Sequence, residues 1–240
     1  MRSGRYFLNP AVHWRFVHHL CIALDVEKDR YVSIQADRVK PLLEYLQQSP
    51  VSAGGVQLEE LPADLVAPVP DLIDAGILTL EERPPHCGAS HTIPRPTRLV
   101  PQGPPYARGY GVRLVFPQFL TACITADYRL RHQSLSRILC CPAVRSSGKF
   151  TGSPADAMRM ATGLASTFVA LRPFYPRRYR CMFDSLALLE FLRRWQISSR
   201  WVFGVSVDPF QAHCWVQHDD VVLCDTRDFS ARRFTPIMFT

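Results

Sequence analysis

The apolar positions of this chain change rhythm along its length, and the changes predict its elements. Residues 12–35 read as strands. Cys21-Ile22-Ala23-Leu24-Asp25-Val26 and Arg30-Tyr31-Val32-Ser33-Ile34 flank the polar Glu27-Lys28-Asp29. Short β-branched and aromatic runs around a charged turn predict a hairpin. The period then lengthens. Val39, Leu42, Leu43 and Leu46 follow helical spacing over residues 38–48, with Asp37 placed as N-cap and Ser49-Pro50 as the stop. A second helix is expected over residues 62–75, ending at Gly76 as a C′ residue. Residues 77–80 (Ile-Leu-Thr-Leu) predict a short closing strand.

The pattern then breaks. Pro84, Pro85, Pro94, Pro96, Pro101, Pro104 and Pro105 crowd one window with Gly88, Gly103 and Gly109. Such a composition predicts an extended linker over residues 84–109. It separates an N-terminal domain of residues 1–83 from a C-terminal domain of residues 110–240. Beyond it, residues 116–131 and 155–170 carry apolar side chains at helical spacing, and Ser153-Pro154 reads as an N-cap followed by N1. Met182, Phe183, Leu186, Leu189, Leu192 and Trp195 predict a strongly apolar helix over residues 181–195. Strands follow at residues 200–207, 212–217 and 221–224, with Asp219-Asp220 as the turn between the last two.

Composition narrows the function classes. Hydrophobic residues make up 47% of the 240, which favours a globular chain with a real core. No signal-peptide pattern is read at Met1-Arg2-Ser3-Gly4-Arg5, and the apolar stretches near residues 112–126 and 182–195 are interrupted by charge or proline. The expectation is a cytoplasmic protein without a membrane partner. Eight cysteines at 21, 87, 123, 140, 141, 181, 214 and 224 form no CxxC pair. Neither a secreted disulfide framework nor a zinc site is expected, and no metal or cofactor. The net charge is +7, yet residues 1–85 hold 8 basic against 12 acidic residues. The basic excess of the second part is almost all arginine, with three lysines in the chain and no interleaved aromatics. That pattern speaks against a nucleic-acid partner.

The chemistry concentrates in the last third. A thiol is a good nucleophile when its thiolate is favoured, and a helix N-terminus favours it through unpaired N–H groups and the dipole. Cys181 falls at the predicted start of the apolar helix. His213 falls in a strand, and Asp225 ends the neighbouring one. This order allows a nucleophile, a base and an acid that orients the base. The backbone N–H of Cys181 is the natural first oxyanion donor, with Tyr179 a candidate second. A bland account is equally open to these residues: Cys181 as a core thiol, His213 as a strand histidine, Asp225 as a turn residue. Asp219, Asp220 and Asp228 compete as the acid, and Cys214 and Cys224 as the nucleophile.

The segment Cys181-Met182-Phe183-Asp184-Ser185-Leu186-Ala187-Leu188-Leu189-Glu190-Phe191-Leu192 resembles the nucleophile helix of the lasso-peptide B proteins, which are transglutaminase-like leader peptidases. So do Val202-Phe203-Gly204-Val205, Pro209-Phe210-Gln211-Ala212-His213-Cys214-Trp215-Val216 and Val221-Val222-Leu223-Cys224-Asp225. The resemblance covers residues 110–240. It implies a catalytic Cys181, His213 and Asp225 and a papain/transglutaminase-like domain. The family usually carries alanine where Cys214 stands, which reads as a harmless variation. Residues 12–82 resemble the PqqD-related leader-recognition module, a small winged-helix-like domain. An α+β chain of two domains is therefore expected. The resemblance further implies two partners, the leader region of a precursor peptide and an ATP-dependent macrolactam cyclase. Leader binding by strand addition would use Leu24, Val26, Tyr31, Val32 and Ile34. Two other classes stay open: a transglutaminase- or amidase-type acyl transferase on another substrate, and a catalytically idle winged-helix binding protein.

Overall fold

The computed structural model describes residues 4–48, 55–84, 96, 98–99, 112–141, 144, 150–223 and 233–240. The chain divides into two units, residues 1–90 and residues 91–240, each a mixture of helix and sheet.

In the first unit, strands β1 (Arg5–Leu8), β2 (Val12–Val17), β3 (Leu20–Asp25) and β4 (Arg30–Gln35) precede helix α1 (Ala36–Gln48). Strands β2, β3 and β4 form an antiparallel meander with β3 in the middle. The expected hairpin is the β3–β4 pair, in which Asp25 faces Arg30. The Asp25 carboxylate accepts from the N–H groups of Glu27 and Lys28, both at 3.1 Å, and so shapes the turn. Helix α1 buries Val39, Leu42, Leu43 and Leu46, the four positions of the helical spacing, and starts one residue before the expected cap.

The single helix expected over residues 62–75 is two short ones, α2 (Ala63–Val66) and α3 (Val69–Asp74). Pro68 lies at the break. It has no N–H to donate to the carbonyl one turn back, so the ladder of α2 cannot continue through it. Gly76 has φ +76°, the left-handed conformation of a C′ glycine. The closing strand β6 (Leu78–Thr79) pairs with β1, and β1 also pairs with β5 (Val56–Gln57). This second small sheet joins residues far apart in sequence, and of its three strands the local pattern announced β6 alone.

The second unit holds α4 (Val112–His132), α5 (Leu135–Leu139), α6 (Pro154–Leu171) and α7 (Cys181–Arg194). Its sheet has the order β11-β8-β9-β10-β7, from β7 (Arg98–Leu99), β8 (Arg200–Val207), β9 (Phe210–His218), β10 (Val221–Val222) and β11 (Thr235–Phe239). Ser153 caps α6, accepting from the Asp156 N–H at 3.2 Å, as its sequence predicts. Helix α7 packs on both α4 and β9. The three long helices meet through fully buried rings: Phe119 lies 5.4 Å from Phe168, and Phe168 lies 5.9 Å from Phe191. Strand β7 falls inside the stretch expected as a linker and pairs in parallel with β10, where Arg98 makes a two-pronged bond to the Asp220 carboxylate at 3.1 and 3.2 Å. Most of the rest of residues 84–109 lies outside the described residues. Cys140 is disulfide-bonded, which the irregular cysteine spacing had not suggested. Among the described residues no helix is long and apolar enough to cross a membrane.

Candidate active site

Cys181 is the first residue of α7, and the N-cap Arg180 offers no side-chain cap. The N–H groups of the first turn therefore keep their donor capacity toward a group at the helix end. The thiol is half-buried and lies within hydrogen-bonding reach of His213 and Cys214, neighbours on β9. Together these contacts hold the Cys181 thiol down at about 4 from an ordinary 9.0. The largest contribution comes from the Cys214 thiol and the next favourable one from the His213 ring, both opposing the cost of burial. Cys214 moves the other way. Full burial and the facing Cys181 push its thiol well up, so it stays protonated and donates. Cys214, read from the sequence as a harmless variation, thus lies against the candidate nucleophile.

Ser185, one turn along α7, ties the two elements. Its hydroxyl lies 2.5 Å from the Cys181 carbonyl oxygen and 3.0 Å from the Cys214 carbonyl oxygen. It can donate to either, and both lie on the seam between the helix start and β9. Behind the histidine the packing is aromatic. The His213 ring stacks on Trp215 at 6.0 Å and leans on Phe234 at 5.1 Å. Gly204 on β8 pairs with His213, and a Cβ there would stand 2.8 Å from the Trp215 ring. Only glycine leaves room for that indole.

The structure brings Cys181 and His213 together. Asp225, with its competitor Asp228 and the rival nucleophile Cys224, lies outside the described residues. Of the other two candidate acids, Asp220 is engaged by Arg98 and Asp219 sits in the turn with φ +49°. Tyr179, the candidate second oxyanion donor, is exposed, with its ring over the guanidinium of Arg172 at 4.5 Å. Among the described residues no group of three or more His, Cys, Asp or Glu side chains is arranged to hold a metal ion.

The expected leader-binding positions divide. Leu24 sits on the central strand β3, paired with His13 on one side and Tyr31 on the other, so its backbone has no open edge. Val26 is buried, and its N–H donates to the Ala11 carbonyl at 3.1 Å. Tyr31, Val32 and Ile34 lie on β4, an edge strand among the described residues.

Ser185, Gly204 and Phe234 are site residues that the sequence alone did not single out, and Cys214, weighed there as a rival nucleophile, stays protonated beside Cys181. The motif held Ser185 and Cys214 in plain view, but their roles depend on which strand meets the helix start.

No curated protein and no solved structure matches this chain. A family model described as the transglutaminase-like superfamily matches residues 122–239, a span that holds α7 and the strands carrying the site. Residues 122–239 are thus similar to a transglutaminase-like domain.

Proposed function

We propose that this protein is a cysteine peptidase that removes the leader from a ribosomally made lasso-peptide precursor and passes the core to an ATP-dependent macrolactam cyclase. One observation carries the catalytic half of the reading. A thiol at the start of a buried helix is held low by two hydrogen-bonding neighbours, one of them a histidine. In this reading Cys181 attacks the carbonyl carbon at the leader–core junction, and His213 protonates the leaving amine of the core. Water then hydrolyses the thioester, with His213 as base, and releases the leader. Asp225 would fix the His213 tautomer and stabilise the imidazolium. The sequence resemblance over residues 181–225 supplies the substrate class.

The first unit is assigned the recognition of the leader, as a PqqD-like, winged-helix module. Strand β4 supports this with an edge along which an extended peptide can pair, and Tyr31, Val32 and Ile34 would set its register. The test uses the full chain, its precursor and the Cys181→Ala variant. Mass spectrometry should find leader removal abolished, while fluorescence anisotropy finds leader affinity unchanged. Retained cleavage would remove Cys181 from its role. Cysteine-dependent acyl transfer to added amines, with precursors left intact, would favour the acyl-transferase class.

A further inference from the structure

The side chain of Arg172 is almost wholly buried, and it spends four hydrogen bonds on the six residues that lead into Cys181 and on the helix that follows. Its Nε donates to the Asp184 carboxylate at 2.5 Å. Its two terminal nitrogens donate to the backbone carbonyls of Tyr175 at 3.1 Å, Arg177 at 3.0 Å and Arg178 at 3.3 Å. The other oxygen of Asp184 accepts from the Arg180 N–H at 2.9 Å, and the Asp184 N–H returns to the Arg180 carbonyl at 2.9 Å. Rings close the unit. The guanidinium carbon lies 4.5 Å from the Tyr179 ring and 5.0 Å from that of Phe183, which stacks on Tyr175. Arg177 completes it through an ion pair with Asp127 on α4.

A planar guanidinium offers five donors in a fixed fork, so it can hold several acceptors in one geometry. Here those acceptors define where the chain turns into α7. We propose that Arg172 is a positioning residue for the nucleophile: by gripping the carbonyls of residues 175, 177 and 178 together with Asp184, it sets where Cys181 and its backbone N–H stand for attack. It also balances the charge of Asp184, which otherwise faces the Cys181 thiolate as a like charge. The inference rests on Cys181 being the nucleophile, and its test separates the two ideas.

Two small probes read different properties of the thiol. Alkylation by iodoacetamide needs only a thiolate. Acylation by p-nitrophenyl acetate also needs the carbonyl placed against the oxyanion donors: the thiolate adds to the ester carbonyl, and p-nitrophenolate leaves. Arg172→Lys keeps the positive charge but loses the fork. In the folded variant, checked by thermal melting, acylation of Cys181 should fall by at least about tenfold, since misplacement of about 1 Å can cost 10²-fold. Alkylation at neutral pH should stay within about twofold, because the charge beside Asp184 remains. The double variant Arg172→Met with Asp184→Leu serves where Arg172→Lys fails to fold, since replacing both members of a buried pair with apolar side chains is often tolerated. It should likewise keep alkylation and lose acylation. A folded variant that acylates at the wild-type rate, or one that loses both reactions equally, would overturn the proposal. A burst of acylation that survives in Cys181→Ala would instead overturn the nucleophile, whatever Arg172 does.

Discussion

The hydroxyl of Ser185 stands 2.5 Å from the carbonyl oxygen of Cys181, the residue one helical turn before it. The same hydroxyl lies 3.0 Å from the Cys214 carbonyl oxygen on β9. Ser185 itself is buried, so water cannot replace it readily. Ser185→Ala should destabilise the second unit by about 0.5–1.5 kcal/mol, the net contribution of one hydrogen bond. It should also slow catalysis, because the helix start loses its tie to the strand of His213. Urea unfolding gives the first quantity and precursor cleavage the second. Wild-type values of both would mean that the bridge is incidental.

The thiols of this chain should separate in pH. Cys181 is held near 4, whereas burial pushes Cys21 and Cys123 up to about 12. The reactive form is the thiolate, which is populated above a group's own pKa. Alkylation of Cys181 should therefore hold a plateau from pH 8 down through about pH 6 and fall only towards its lowered value. Cys21 and Cys123 should stay unlabelled throughout. Cys214→Ala removes the largest favourable contact of the Cys181 thiolate, so the midpoint should move up towards the ordinary thiol range. Peptide mapping after brief labelling at several pH values gives each curve. An unmoved midpoint in Cys214→Ala would return that cysteine to a packing role.

The periodic parts of the chain were legible because local sequence settles them. The Ser153-Pro154 cap, the apolar face of α7 and the Asp219-Asp220 turn each follow from a few adjacent residues. The candidate site was legible as far as the meeting of Cys181 and His213, since a cysteine at a helix start and a histidine in a following strand suggest that chemistry by their order. Other features depend on distant partners. Strand β1 exists because residues 56–57 and 78–79 come to its two sides. Strand β11 pairs with β8 across more than a complete hairpin. Arg172 is one arginine in an arginine-rich chain, and only the fold gathers three carbonyls and a carboxylate around it. Likewise, the closeness of Cys214 to Cys181 could not be read from a motif in which it looked like a variant alanine.

The acid that orients His213 can be found by comparison. Asp225→Asn should fold normally and cleave far more slowly, by up to roughly 10⁴ on the precedent of a Ser-His-Asp enzyme, because an amide favours the wrong tautomer and cannot stabilise imidazolium. Asp220→Asn should behave differently. Asp220 is exposed to solvent in part and paired with Arg98, so its loss should loosen the β7–β10 edge and leave the chemistry close to normal. Single-turnover cleavage rates of the two variants, beside their melting temperatures, make the distinction. A crippled Asp220→Asn with an active Asp225→Asn would mean that the acid has been named wrongly.

Separating the two units should cost binding rather than chemistry, provided that the cut respects the sheet. A catalytic fragment that begins at residue 110 lacks β7 and with it the Arg98 fork on Asp220, whereas one that begins at residue 91 keeps both. The fragment 91–240 should therefore melt close to the intact chain, and the fragment 110–240 below it. With the proposed recognition module gone, the fragment 91–240 should have a KM for precursor raised by far more than its kcat is lowered, because the removed interaction is made equally in the ground and transition states. Alkylation of its Cys181 should be unchanged. Adding residues 1–90 in trans should restore activity only in part, since two binding events joined in one chain act at a high effective concentration that separate pieces lack. Steady-state cleavage of one precursor by the intact chain, by the fragment 91–240 and by the mixture supplies all three comparisons. Full activity from 91–240 alone would mean that the transglutaminase-like domain reads the leader itself, and that the edge of β4 serves something else.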